Sequence, residues 1–240
     1  MIRGVSFRLA PGECLGIIGP SGSGKSTLGK VIAGVCAPAA GSVQLDNADV
    51  VSVRDSAGWR LGYLPQDIDL FGETVRDIIA RLDGADLRKV VAAAKLTGLH
   101  DSILRLPQAY DTVFVGGVSS LSRGFRQRLG LARAFYGDPH LVVLDEPNAN
   151  LDAEGENALG RAIQLLRRAG SIVIVISHRP NVLAALDMAI VLYDGKAIAF
   201  GSSREVFARV RGSSSPVTQP ATAPNSRIAR RSVTAETVPS

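Results

Sequence analysis

Residues 19–27 read Gly-Pro-Ser-Gly-Ser-Gly-Lys-Ser-Thr, and they limit what the chain can fold into. The apolar run Cys14-Leu15-Gly16-Ile17-Ile18 before them reads as a buried strand, and Ser26 to Ala33 after them reads as a helix. Glycines allow the backbone to take positive φ and turn its amides inward. Those amides, with the N-terminus of the following helix, form a cradle for anionic oxygens. The spacing is Gly19, four residues, then Gly24-Lys25-Ser26. It predicts that Lys25 reaches the β- and γ-phosphates of a nucleotide and that Ser26 ligates Mg²⁺. Gly19, Pro20, Ser21, Gly22, Ser23, Gly24, Lys25, Ser26 and Thr27 are therefore the candidate nucleotide-binding residues. A plain glycine-rich turn has no need of strand, loop and helix in that order.

Elsewhere, strand-like runs alternate with helix-like patterns, which predicts an α/β fold around a mainly parallel sheet. The strand candidates are 13–18, 42–46, 60–64, 140–145, 171–177 and 188–193. A helix over 153–169 places Leu159, Ala162, Ile163 and Leu166 on one face. Between about residues 67 and 135 the pattern turns helical, with candidates at Thr74–Arg81, Asp86–Leu96, His100–Leu106 and Arg123–Gly137. It reads as a helical subdomain inserted into the sheet domain. The expected organisation is one domain over 1–211 and a disordered tail over 212–240, since Ser, Pro, Thr, Ala and Arg offer too little apolar surface to offset ordering entropy. On that reading the tail is dispensable for nucleotide binding.

Composition excludes some classes. The net charge of +5 is concentrated in the tail, where Arg211, Arg227, Arg230 and Arg231 stand against Glu236, so it argues for no nucleic-acid partner. Cys14 and Cys36 form no disulfide framework and fit a reducing compartment. There is no apolar signal segment at the N-terminus. The longest apolar runs, Leu141–Leu144 and Ile172–Ile176, are far shorter than the roughly 20 residues of a spanning helix.

Other stretches carry chemistry. Residues 141–147, Leu-Val-Val-Leu-Asp-Glu-Pro, form an apolar strand that ends in two acids. Beside a phosphate loop, Asp145 suits a direct or second-shell Mg²⁺ contact. Glu146, one residue on, is placed to polarise an attacking water. By themselves, His178 after a strand and Gln66 after Leu-Gly-Tyr-Leu-Pro are unremarkable loop residues. Leu-Ser-Arg-Gly-Phe-Arg-Gln-Arg at 121–128 reads as a helix start capped by Ser122, with Phe125, Leu129, Ala132 and Tyr136 facing a core.

In order, the phosphate loop, "LPQD", "LSRGFRQRLGLARAF", "LVVLDEPNANLD" and "VIVISHR" resemble the ATPase cassette of ABC transporters, from Val5 to about Val210. The resemblance implies a P-loop NTPase of the ABC ATPase fold, with ATP and Mg²⁺ as its ligands. It makes Gln66 the Q-loop residue, touching Mg²⁺ and relaying nucleotide state to membrane helices. It makes Leu121, Ser122, Arg123, Gly124 and Phe125 the signature motif, and Asn148–Asp152 the D-loop. His178 becomes the switch histidine on the γ-phosphate, and Lys25, Glu146 and His178 the catalytic set. Ser26, Gln66 and Asp145 become the Mg²⁺ set. The signature and Asp152 serve the site of a second, head-to-tail cassette, so a homodimer is expected. "DEPNANLD" and "SHRPNVLAALDMAIVLYDGKAIAFG" look like type I secretion ATPases, which export unfolded proteins from Gram-negative bacteria. That implies membrane-spanning domains as partners and a place at the cytoplasmic face of the inner membrane.

Three departures modify the expectation. In the family, an adenine-stacking aromatic, the first strand of an antiparallel subdomain and a fused membrane domain all lie upstream of the position of Met1. Phe7 is not at the stacking position. A separate chain or a longer product is expected to supply the membrane domain. Arg123 and Phe125 stand where the family prefers a small residue and glutamine, and Gly116 stands where secretion ATPases usually carry a glutamate that contacts coupling helices. A degenerate module that binds ATP with little turnover is the alternative these departures suggest. A soluble ABC protein of repair or translation would carry two cassettes or long coiled coils, and a guanine-nucleotide switch an Asn-Lys-x-Asp motif; neither pattern is present.

Overall fold

The computed structural model describes residues 2–81, 85–114, 121–177, 186–212 and 233–236. The core is a six-stranded sheet of β2 (Cys14–Ile18), β5 (Leu61–Leu64), β6 (Leu141–Asp145), β7 (Ile172–Ile176), β8 (Met188–Tyr193) and β9 (Lys196–Ser202). Its order is β5-β6-β7-β2-β8-β9. All pairs are parallel except the β8–β9 hairpin. The central strands are apolar throughout because both faces are covered. Alternation then divides their side chains. Leu15, Ile17, Leu141, Val143, Ile172 and Ile174 join one core with helix α1 (Lys25–Ile32). Cys14, Val142, Leu144, Val173 and Val175 join a second with α6 (Arg123–Phe135) and α7 (Ala153–Arg168). Burial pushes the Cys14 thiol up to about 12, as suits an inert core residue.

A helical region lies between β5 and β6 in the chain. It contains α3 (Val75–Ala80), α4 (Leu87–Leu96) and α5 (His100–Leu104), which pack with α6 around Ile78, Ile79, Val90, Leu99, Ile103 and Leu129. α3 begins in a capping box between Thr74 and Asp77 and ends at Arg81, whose φ is 61°. The Arg81 guanidinium then joins insertion to sheet. It donates to the carbonyls of Arg133 (3.0 Å) and Ala134 (3.3 Å) at the end of α6, and to those of Gly58 (3.0 Å) and Leu61 (2.5 Å). Burial, with Arg133 adding to it, pushes its pKa down to about 10.

A second sheet is antiparallel: β1 (Ser6–Leu9), β3 (Ser42–Leu45), β4 (Ala48–Asp49) and β10 (Val233–Glu236), ordered β1-β10-β3-β4. Between β4 and β5 runs α2 (Val50–Ala57), and α8 (Ser203–Gly212) follows β9. Strand β10 departs from the expectation of a disordered tail at residues 233–236, and residues 213–232 and 237–240 lie outside the described residues. Ser6–Leu9 pairs with it on one side and Ser42–Leu45 on the other, so a tail segment is an inner strand of this sheet. Only its alternate residues need to be apolar. Val233 and Ala235 are buried with Phe7, Leu9, Val43 and Leu45. Phe7 is 1% exposed and stacks on Phe200, which removes it from contact with any nucleotide.

Deleting residues 213–240 should therefore expose Phe7, Leu9, Val43 and Leu45, leave β1 without a partner in this sheet and leave β3 paired with β4 alone. Burial of Val233 alone is worth about 1.5–3 kcal/mol. The truncated protein should melt at least about 4 °C lower by calorimetry, and an unchanged midpoint would count against β10.

Candidate nucleotide site

The phosphate loop leaves β2 and enters α1 as the sequence implied. Gly19 has φ 152°, and a Cβ there would lie 2.1 Å from the Leu192 carbonyl oxygen, so glycine is required. Gly24, in a left-handed conformation with φ 95°, is the N-cap of α1 and offers no side chain to its first amides. Those amides remain available to an anion. Lys25 Nζ donates to the carbonyls of Gly19 at 2.9 Å and Pro20 at 2.8 Å, which leaves the third ammonium donor for phosphate.

Loop residues including Gly19, Lys25, Ser26 and Thr27 form one wall of a cavity of about 420 Å³, and Gln66, Asp145 and Glu146 form the other. Pro20 and Ser23 do not line it. They shape the loop, with the Ser23 amide donating to the Pro20 carbonyl at 3.3 Å. Asp145 arrives by alternation. Leu141 and Val143 point toward α1, so the third residue of that series faces Lys25 and Ser26.

Asp145 is 1% exposed, and neither carboxylate oxygen has a hydrogen-bond partner of good geometry. Burial raises its pKa; the Ser26 hydroxyl is near enough to oppose the rise, the charge of Glu146 adds to it, and Lys25 and Lys30 oppose it. A buried carboxylate with two unused oxygens beside a hydroxyl and an amide fits Mg²⁺, which takes few protein ligands and completes its shell with water and phosphate oxygens. Ser26, Gln66 and Asp145 are the residues that could hold it. Among the described residues no three His, Cys, Asp or Glu are grouped to hold a metal by themselves.

Glu146 has φ 50° in the turn after β6, with its amide donating to the Ile176 carbonyl at 2.9 Å. His178 and Gly116 lie outside the described residues. Ser122 caps α6 by accepting from the Phe125 amide at 3.2 Å. Arg123 is exposed and, with Gln66, Asp67, Asp69, Arg126 and Asn150, borders an adjoining cavity of about 350 Å³. Gln66 thus faces both cavities. Phe125 packs edge-on against Phe114 and Leu121 lies beside it in the helical core, which explains an aromatic at 125. Asp152 caps α7 through the Gly155 amide (2.8 Å) and pairs with Arg128 (2.5 Å), and these bonds, the capping one first, lower its pKa. Gln127, which sequence reasoning passed over, is 3% exposed and donates to the carbonyls of Pro147 (3.0 Å) and Glu146 (3.4 Å). Its only signal was a polar residue beside the apolar stripe of a helix.

A family model described as "ABC transporter" matches residues 2–149. The chain belongs to the ABC transporter family. It is 48% identical over 212 residues to the type I secretion system ATP-binding protein PrsD of Rhizobium meliloti, covering 88% of this chain and 36% of that one. It is 40% identical to the cyclolysin secretion/processing ATP-binding protein CyaB of Bordetella pertussis, covering 86% of this chain and 29% of that protein. The fold matches a solved bacterial Atm1-family ABC exporter with ATP bound at a TM-score of 0.77 and 34% identity, over 87% of this chain and 37% of the exporter chain. This ABC cassette spans about a third of the length of these proteins.

The site's electrostatics give a sign-definite test. A raised carboxylate pKa means that the folded protein holds the proton more tightly than the unfolded chain. Charged Asp145 therefore costs stability increasingly as pH rises from the ordinary carboxylate range through its raised value. Without nucleotide, Asp145→Asn should melt higher at neutral pH by about 2–4 °C, on the order of 1 kcal/mol. The gain should shrink toward about pH 4. A lower midpoint at neutral pH would show that the carboxylate is compensated in the nucleotide-free protein.

Proposed function

We propose that this chain is the ATP-binding and ATP-hydrolysing cassette of an ABC exporter, of the kind that powers protein export by type I secretion. The observation that carries the reading is the convergence of the phosphate loop, Gln66, unpartnered Asp145 and Glu146 on one cavity. The relatives whose names specify secretion supply the transport class.

In this reading the loop amides and the uncapped start of α1 hold the phosphates, and Lys25 adds its free donor to the β- and γ-oxygens. Ser26, Asp145 and Gln66 would hold Mg²⁺, which when bound would supply positive charge near the phosphate oxygens. Glu146 orients the attacking water, and His178 keeps the γ-phosphate in line. Little covalent work falls to the protein, so positioning and charge stabilisation account for the rate. Two cassettes pair head to tail, each offering Ser122 and its signature to the other's nucleotide. Closure with ATP and reopening after hydrolysis drive membrane domains in the same or a separate chain. The cassette itself works at the cytoplasmic face of a bacterial inner membrane. Among the described residues no helix is long and apolar enough to span a bilayer.

The test is MgATP hydrolysis by wild type and Glu146→Gln. Loss of the water-orienting carboxylate should cut turnover at least about 100-fold while ATP still binds. A variant that turns over as fast as an active wild type would remove Glu146 from its role, and a wild-type rate no higher than background would favour the degenerate module.

Arg123 provides a second check. Its side chain is exposed at the start of α6, where in the proposed dimer the partner's nucleotide approaches. There a bulky cation obstructs closure. Arg123→Gly should raise ATP-dependent dimerisation in a Glu146→Gln background, and turnover in an otherwise wild-type chain, by up to about fivefold, the ~1 kcal/mol scale of an exposed charge contact. A fall in both would identify Arg123 as a phosphate ligand.

A further inference from the structure

Glu146 faces the phosphate cavity from a backbone conformation that side-chain-bearing residues avoid: its φ is 50°. Such a conformation persists where the surroundings over-determine it. Here the peptide groups are gripped from two sides. On the sheet side, the Glu146 amide donates to the Ile176 carbonyl at 2.9 Å. On the helix side, Gln127 Nε2 donates to the carbonyls of Pro147 at 3.0 Å and Glu146 at 3.4 Å. Gln127 is 3% exposed, so water offers no ready substitute for its amide. Both Nε2 hydrogens have a role, and the two carbonyls fix which end of the side-chain amide faces them.

The same helix holds the rest of this turn. The Gly124 α-carbon lies so near the Asn150 carbonyl that a Cβ there would be 3.1 Å from its oxygen. Arg128 Nη2 reaches Asp152 Oδ1 at 2.5 Å. Residues 124, 127 and 128 of α6 therefore hold the segment from 146 to 152 at its beginning, middle and end. The first turn of α6, with Ser122 and Arg123, and the turn that aims Glu146 are fastened as one unit.

We infer that Gln127 is the positioning residue for Glu146: its side-chain amide holds the Glu146–Pro147 backbone so that the carboxylate stays directed into the phosphate cavity, and it ties that aim to the start of α6. The inference rests on the proposed role of Glu146 in orienting water. It assigns Gln127 no contact with the nucleotide.

The test uses the full chain with MgATP and compares Gln127→Met, Gln127→Glu and Glu146→Gln with wild type. Methionine nearly keeps the length and packing of glutamine but donates nothing. Its variant should lose about tenfold in kcat with KM and nucleotide affinity within about twofold, the pattern of an interaction needed only for the chemical step. The glutamate variant regains a donor on protonation, and burial raises that pKa. Its kcat should recover as pH falls from about 8 to about 6, relative to wild type, whereas the methionine variant's relative rate should stay flat. Wild-type kcat in Gln127→Met, with Glu146→Gln inactive, overturns the inference and leaves the proposed function intact. Full activity in Glu146→Gln overturns both. If Gln127→Met does not fold, a flat relative pH profile in Gln127→Glu overturns the inference and a recovering one supports it.

Discussion

A carboxylate buried without a partner beside the start of a helix is the constraint around which this molecule is arranged. Asp145 stands at the end of a strand that is otherwise wholly apolar, at 1% exposure, with no hydrogen bond of good geometry to either oxygen. Such a group is costly in the nucleotide-free protein, and several features offset its cost. Parallel pairing holds β6 between β5 and β7, so the acid cannot swing out to water without breaking both ladders. Lys25, Lys30 and the Ser26 hydroxyl on α1 favour its charged form. The price in stability is what leaves oxygens ready for a cation rather than committed to protein donors.

One residue further on, the same strand solves a different problem. Glu146 must leave the sheet and still face the cavity, and the chain does this by turning through a left-handed residue. A left-handed glutamate needs external support, which comes from Ile176 on the sheet and from α6. The strand that carries the acids is thus fixed by the sheet at one end and by the inserted helical region at the other. Arg81 gives that region a second anchorage: four backbone carbonyls at the edge strand and the end of α6 converge on one guanidinium. Those carbonyls include two orphan acceptors of a helix C-terminus, where a cation is favoured.

The sequence was most legible where one local rule decided the outcome. Continuous apolar runs such as Ile172–Ile176 became inner strands, and Ser122 caps the helix that follows it. The phosphate loop was legible because its glycines answer specific contacts, as Gly19 does against Leu192. Residues that act through distant backbone were not legible. Nothing near Gln127 in sequence points to carbonyls 19 and 20 residues away, and nothing near Arg81 points to carbonyls more than 50 residues away. Their side chains read as solvated polar groups until the fold places acceptors around them. β1, β4, β9 and α2 were also missed, since short or half-polar segments carry little periodic signal.

The tail shows why a composition rule fails at short range. Segments poor in large apolar residues do not build a core of their own, but a strand added to an existing sheet brings only alternate side chains to the core and draws the rest of its stability from two ladders. Val233 and Ala235 meet that small requirement, and β1 and β3 supply the acceptors and donors. The information that orders this segment is therefore held in Phe7, Leu9, Val43 and Leu45, more than 180 residues away in the chain, and not in the tail itself. The antiparallel sheet, which meets the parallel one through the packing of Phe7 on Phe200, is completed only when the last described residues return to the first.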